Sequence, residues 1–383
     1  MLLGLAVFSS KIALLFIAYF FDADTYNIFN QAYYTSSLLI LFGALGFNIA
    51  ITRIKIRHGL IYLSVFVNLI LTYLFLYFIS EAFTDPAYIA SVFIYSFFSV
   101  LGGIFTFQLL FEGKYKDYVY LTLLYSVLHL AIIPVVLFLK VNVVFTLPFV
   151  TALWFFIGYP KYIQQTGEGT LVWKEFYKVG LSAFIINSAV SLALSLDKYY
   201  VNSFFELSLA NSYTFSWSLT APVFYIGSII ERYLYSGKYE IKLSLFRKGF
   251  GLSVIFIPLY AAALICFVYF LPQFLPSSVD VIHVREITTL MIAGYSIYSL
   301  IHFTVNAYLF KLMHTSVQKE VSVYYTIILL LFLGYFYFVF QDMILLNYKT
   351  LLISIWTYIF LLLTAKIFLL LRRKKETFSS ENL

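Results

Sequence analysis

Twelve apolar stretches, each close to the ~20 residues needed to cross a hydrocarbon core roughly 30 Å thick, take up nearly all of this 383-residue chain. They fall at 2–21, 33–52, 60–80, 88–111, 118–139, 143–159, 179–196, 213–230, 252–271, 288–310, 324–340 and 350–370. A bilayer offers no partner to an unpaired backbone group, so the chain must form helices or a closed barrel. Runs this long and uniformly apolar read as helices. The expected fold class is an all-α polytopic membrane protein of about 12 transmembrane helices. With 62% hydrophobic and 11% charged residues, the composition lies outside that of soluble enzymes.

Charge gives these spans an orientation, because Lys and Arg collect in cytoplasmic loops. Of the 25 bases, 19 fall on one side: Arg53, Lys55 and Arg57; Lys114 and Lys116; Lys161, Lys174 and Lys178; Arg232, Lys238, Lys242, Arg247 and Lys248; Lys311 and Lys319; and the tail Arg372 to Lys375. Only Lys140, Lys198, Arg285 and Lys349 fall on the other side, and Lys11 and Lys366 sit inside spans. Both termini are therefore expected in the cytoplasm. Basic loops facing anionic headgroups explain the net charge of +7 without a nucleic-acid partner. The segment 2–21 lacks a basic start and carries Lys11 at its centre, so it reads as a first span rather than a cleaved signal. Cys266 stands alone, which leaves no disulfide and no cysteine-based metal site.

The polar segment Gln164-Gln165-Thr166-Gly167-Glu168-Gly169 divides the chain six spans and six. The expected organisation is an N-terminal half at 1–160, a cytoplasmic linker at 161–178, a C-terminal half at 179–371 and a basic tail at 372–383. Sliding the chain by 184 residues lays Phe20-Phe21-Asp22 over Phe204-Phe205-Glu206, Asn27 over Asn211 and Phe29 over Tyr213. Parallel repeats of this kind suit alternating access, with a binding site between them near the midplane. No glycine-rich phosphate loop is present, so the chain is not expected to carry its own ATP-driven motor. Neither a cofactor nor a metal is implied.

Two stretches carry a family resemblance. Tyr19-Phe20-Phe21-Asp22-Ala23-Asp24-Thr25-Tyr26-Asn27-Ile28-Phe29, followed by Leu41-Phe42-Gly43-Ala44-Leu45-Gly46-Phe47-Asn48 and Arg53, resembles the opening of Wzx-type polysaccharide flippases of the multidrug/oligosaccharidyl-lipid/polysaccharide exporter superfamily. Ser195-Leu196-Asp197-Lys198-Tyr199-Tyr200 resembles the Ser-Leu-Asp-Arg stretch that closes that family's seventh span, and Ala210-Asn211-Ser212-Tyr213 stands where the family has Gly-x-Tyr. Asp22, Tyr26, Asn27, Gly46, Asp197, Lys198 and Tyr213 are thus the motif positions. Asn27 and Asn211 replace the usual glycine, a mild exchange if a left-handed turn is needed there. Lys198 replaces Arg, keeping the charge but losing the bidentate fork.

The resemblance implies a non-enzymatic carrier in the bacterial inner membrane. It would move an undecaprenyl-pyrophosphate-linked oligosaccharide repeat unit to the outer leaflet for surface polysaccharide such as O-antigen. A polysaccharide polymerase and glycosyltransferases of the same pathway are the implied partners. Such a cargo calls for cationic and hydrogen-bonding side chains inside the bundle, and ionisable groups in spans usually face a cavity. Lys11 is the leading candidate. Arg53 ends the second span, where a topology charge and a cargo contact are equally good explanations.

Tyr295, Ser299, His302 and Asn306 recur at helical spacing on one face of the tenth span and are expected either to line the cavity or to hydrogen-bond between helices. His129 shares a face with Tyr118, Thr122 and Tyr125. Lys366, close to the basic tail, is expected to snorkel. No carboxylate is expected at mid-membrane, since Asp22, Asp197 and Glu231 read as span ends. That weighs against a drug antiporter of the same superfamily, although coupling to H+ or Na+, through His302 or His129 for instance, stays open. Short outer connections disfavour a membrane glycan polymerase or glycosyltransferase.

Overall fold

The computed structural model describes residues 15–54, 56–79, 85–139, 142–163, 173–235, 243–312, 315–341 and 347–380. Among them the chain is helical throughout. A first segment, α1 (15–20), precedes α2 (Ala23–Ala44), α3 (Phe47–Arg53), α4 (His58–Ile79), α5 (Pro86–Phe111), α6 (Tyr115–Leu139) and α7 (Val143–Ile163). Next come α8 (Trp173–Phe204), α9 (Leu207–Tyr235), α10 (Leu243–Phe270), α11 (Val281–Leu312), α12 (Thr315–Gln341) and α13 (Tyr348–Ser380).

Carboxylate and amide side chains start the helices by accepting the backbone N–H groups that a first turn leaves over. Asp22 accepts from the Thr25 amide at 2.8 Å, Asp85 from Ala87 at 2.9 Å and Asn142 from Val144 at 3.0 Å. Asp280 accepts from His283 at 2.9 Å and Asn347 from Thr350 at 3.0 Å. Pro134, Pro148, Pro222 and Pro258 all lie inside helices.

Among the described residues, seven helices are long and apolar enough to cross a membrane, or eight if the bent α8 is one span. The twelve sequence spans are therefore not all recovered by that measure. For α9 the reason is visible: Ser212, Thr214, Ser216, Ser218 and Thr220 are all buried, so a helix surrounded by protein does not need lipid-compatible side chains.

Helices α2 and α4–α7 pack chiefly on one another and α9–α13 do the same, while α8 lies between the groups, packing on α2 and α3 as well as on α9, α12 and α13. The 184-residue offset is written in the backbone. The helical path breaks at Phe21 and Asp22 before α2, and breaks identically at Phe205 and Glu206 before α9. A tryptophan lock recurs too. A Cβ on Gly102 of α5 would collide with the Trp154 ring of α7, and one on Gly294 of α11 with the Trp356 ring of α13. In each group a glycine on one helix, α5 or α11, seats a tryptophan from the second helix after it, α7 or α13.

The two groups touch at both ends. At one end the Asn211 amide donates to the Ala23 carbonyl (3.0 Å), the Ser278 hydroxyl to Ala18 (2.8 Å) and the Gln31 amide to Asn202 (2.9 Å). At the other, the turn Leu45-Gly46, with φ of 38° and 70°, presses against Gly180 so closely that a Cβ on Gly46 would strike the Gly180 carbonyl. Phe47 packs beside it on Phe176 and Tyr177, with ring centroids 4.9 and 5.0 Å away.

Candidate functional site

An ion pair lies buried in α8. The apolar run ends at 196, which puts Lys198 among the loop bases when the sequence is read alone. The helix instead continues to Phe204, with a 66° bend between Trp173–Ile185 and Ala189–Phe204. Asp197 and Lys198 are both 0% exposed. Lys198 Nζ donates to Asp197 Oδ1 at 2.8 Å and also to the Leu194 carbonyl, and sits 3.8 Å from the centre of the Trp217 ring. The Lys198 amide donates to the same Oδ1 at 2.7 Å, while the Tyr213 hydroxyl donates to Oδ2 at 2.8 Å.

Asp197, expected at a span end, is thus buried within the helix bundle, seven residues before the end of α8. Adjacent opposite charges read as an interface, but they can neutralise each other inside the bundle when tyrosine and tryptophan complete their coordination. Next to them the Asn202 amide donates to the Lys198 carbonyl (2.8 Å) and to the Thr214 hydroxyl (3.0 Å). Lys366, expected to snorkel, is buried as well, 5.4 Å from the Tyr325 ring centre.

The α11 stripe packs between helices. Tyr295, 1% exposed, is wedged among Trp217 (5.2 Å), Phe224 (5.6 Å) and Trp356 (4.7 Å), and Ser299 is buried. His302 Nδ1 shares a 3.0 Å hydrogen bond with the Tyr298 hydroxyl and stacks on that ring. Tyr298 is an extra member that the stripe omitted. Asn306 lies within α11, but its side chain falls outside the described residues, as does that of Arg53 at the end of α3. Lys11 lies outside them altogether.

The motif asparagines make no left-handed turn. Asn27 and Asn211 are helical, and the positive φ among non-glycine described residues belongs to Leu45. Asn211 instead bridges Ala23 and Ser278, tying the groups together. Tyr26 is fully buried in α2. Asp22 is exposed, and the hydrogen bonds from the Thr25 amide and hydroxyl hold its carboxyl below the usual carboxylate range.

A cavity of about 410 Å³ opens within the first group, between α2, α3, α5, α6 and α7. None of the α11 stripe lines it. Tyr118, Thr122 and Tyr125, the face read beside His129, do; His129 itself does not, its Nδ1 lying 2.9 Å from the Tyr125 carbonyl. Asn48, Ser99, Gly103, Thr106 and Trp154 complete the polar and aromatic wall. Sequence reasoning missed these five, although adjacent glycines at 102 and 103 inside a span were a usable signal of close packing. No lining residue carries a charge. No group of three or more His, Cys, Asp or Glu among the described residues could hold a metal.

Long apolar helices in two groups of repeated construction define a multi-pass membrane protein. No family model and no curated protein matches the sequence. Three solved structures share the fold. "Outward-facing conformation of a multidrug resistance MATE family transporter of the MOP superfamily" is 13% identical with a TM-score of 0.58, covering 100% of this chain and 95% of that one. "MATE transporter ClbM in complex with Rb+" is 12% identical with a TM-score of 0.52 over 96% and 91%. The eukaryotic MATE transporter AtDTX14 is 12% identical with a TM-score of 0.51 over 96% and 92%. The chain therefore has the fold of MATE transporters of the MOP superfamily over essentially its whole length.

Proposed function

We propose that the protein is a flippase for polyprenyl-diphosphate-linked oligosaccharides in a bacterial inner membrane. Two six-helix halves with cytoplasmic termini would rock about the contacts at their two ends. One observation carries this reading over others available to the fold. Among the described residues, the interior offers hydroxyls, amides and aromatic rings, and its single buried carboxylate, Asp197, is already bridged to Lys198. A hydroxyl-rich cargo finds partners in such an interior. A cationic drug finds that buried acid already paired.

The second reading is a small-molecule antiporter, favoured by the buried Asp197 itself and by the multidrug transporter among the structural neighbours. A deletion strain separates the two. Loss of surface glycan with lipid-linked intermediates held in the inner leaflet is the expected result. Unchanged glycan with raised sensitivity to cationic compounds would replace the flippase by the antiporter.

A further inference from the structure

We propose that the cavity between α2, α3, α5, α6 and α7 binds one uncharged sugar ring of the cargo. The inference rests on the flippase reading and deepens it by assigning the sugar a place inside one half rather than between the halves.

Charge excludes most other ligands. The lining has no acid, base or histidine, so an anion or cation entering it would lose its water without gaining a counter-charge. What the walls offer is amide and hydroxyl chemistry: Asn48 from α3, Ser99 and Thr106 from α5, Thr122 from α6. Asn48 and Ser99 can both donate and accept, while Thr106 and Thr122 give their hydroxyl protons to the Gly102 and Tyr118 carbonyls and face the space as acceptors, so a ring bearing several hydroxyls meets both kinds of partner.

The aromatic wall is built in advance. Trp154 Nε1 donates to the Leu121 carbonyl at 2.8 Å, its ring rests on Gly102, and Tyr125 meets it edge-on at 4.7 Å. Trp154 is itself nearly buried, so what it presents to the space is a fixed aromatic edge. At about 410 Å³ the space is at the lower end of the roughly 300–1,000 Å³ typical of small-molecule sites, enough for a ring and too little for a whole repeat unit.

Gly103 keeps this space open. Nothing lies within 4 Å of where its Cβ would be, whereas the neighbouring Gly102 has none to spare. A Cβ at 103 would therefore meet no wall, and a longer side chain would extend from it into the cavity that Gly103 lines. Leucine there is also the better helix former, so loss of function in Gly103→Leu would not arise from loss of helix.

The test uses the full chain in vesicles containing a synthetic polyprenyl-diphosphate-linked disaccharide, with Cys266→Ser and a single reporter, Thr122→Cys. The lipid-linked probe should slow maleimide labelling of the reporter by about tenfold. Without the reporter, Gly103→Leu should lower transport of the probe by about tenfold at an unchanged or higher melting temperature, and Gly103→Ala should lower it less. Gly251→Leu, on an exposed face of α10 with equal room for a side chain, should change neither. Transport at the wild-type rate by Gly103→Leu, or unprotected labelling while wild type transports the probe, would remove the cavity from the mechanism and leave the flippase standing. Wild-type vesicles that exchange small cations and never move the probe would overturn both.

Discussion

The Trp154 and Trp356 regions are built on one plan and end differently. In both, a tryptophan from the last helix of its group, α7 or α13, lies on a glycine two helices earlier, Gly102 of α5 or Gly294 of α11. The residue after that glycine decides the outcome. Gly103 leaves a cavity, while Tyr295 fills the corresponding space and packs on Trp217, Phe224 and Trp356. Beside this glycine the second group is filled where the first is open. It also carries the Asp197–Lys198 pair, where the 184-residue offset puts Ala13 and Leu14 in the first. Repetition supplies a shared scaffold, and a few side chains fill the space in one copy and leave it open in the other.

The largest test of that contrast is the ion pair. Lys198→Met alone leaves a buried carboxylate without its cation and should destabilise the protein by about 3–5 kcal/mol, whereas Asp197→Leu with Lys198→Met should recover most of the loss. Thermal unfolding in detergent measures both, and a double variant no better than the single one would show that the charges do more than neutralise each other. Next comes Tyr295→Ala, which should open a cavity in the second group at about 3–5 kcal/mol. A small apolar gas such as xenon should bind the new void, and no change in unfolding temperature would mean that Tyr295 does not fill the core.

Smaller effects belong to the glycines. Gly180→Ala places a Cβ 2.8 Å from the Leu45 carbonyl, so overpacking should cost about 1–3 kcal/mol at the contact between groups. Accessibility of a cysteine at Phe47 to a water-soluble reagent should rise in that variant. Least of all, Gly103→Ala should alter stability by no more than about 1 kcal/mol, in the favourable direction. A destabilised Gly103→Ala would mean that the space beside it is needed for packing.

Much of the fold and part of the site are legible in the sequence, and the failures have physical causes. Apolar run length carries the helices, and Asp22 with Glu206 marks the two matching breaks. Periodicity finds the Tyr118, Thr122 and Tyr125 face, which lines the cavity. Periodicity also finds the Tyr295 stripe, but one helix cannot reveal whether the facing partner is a void or Trp356. Asp197 and Lys198 stand out by their motif and are still misplaced, since charge at the end of an apolar run is read as water contact unless its neutralising partners are known. Two of those, Tyr213 and Trp217, lie on the next helix. The glycine–tryptophan locks join residues about fifty to sixty apart and leave no local pattern at all.

The most direct measurement is transbilayer movement of the cargo class itself. Purified protein in vesicles with a polyprenyl-diphosphate-linked disaccharide should bring inner-leaflet sugars within reach of an impermeant lectin or oxidant outside. Protein-free vesicles should keep them hidden. Equal exposure with and without the protein, in vesicles where it is folded and correctly inserted, would contradict a flippase.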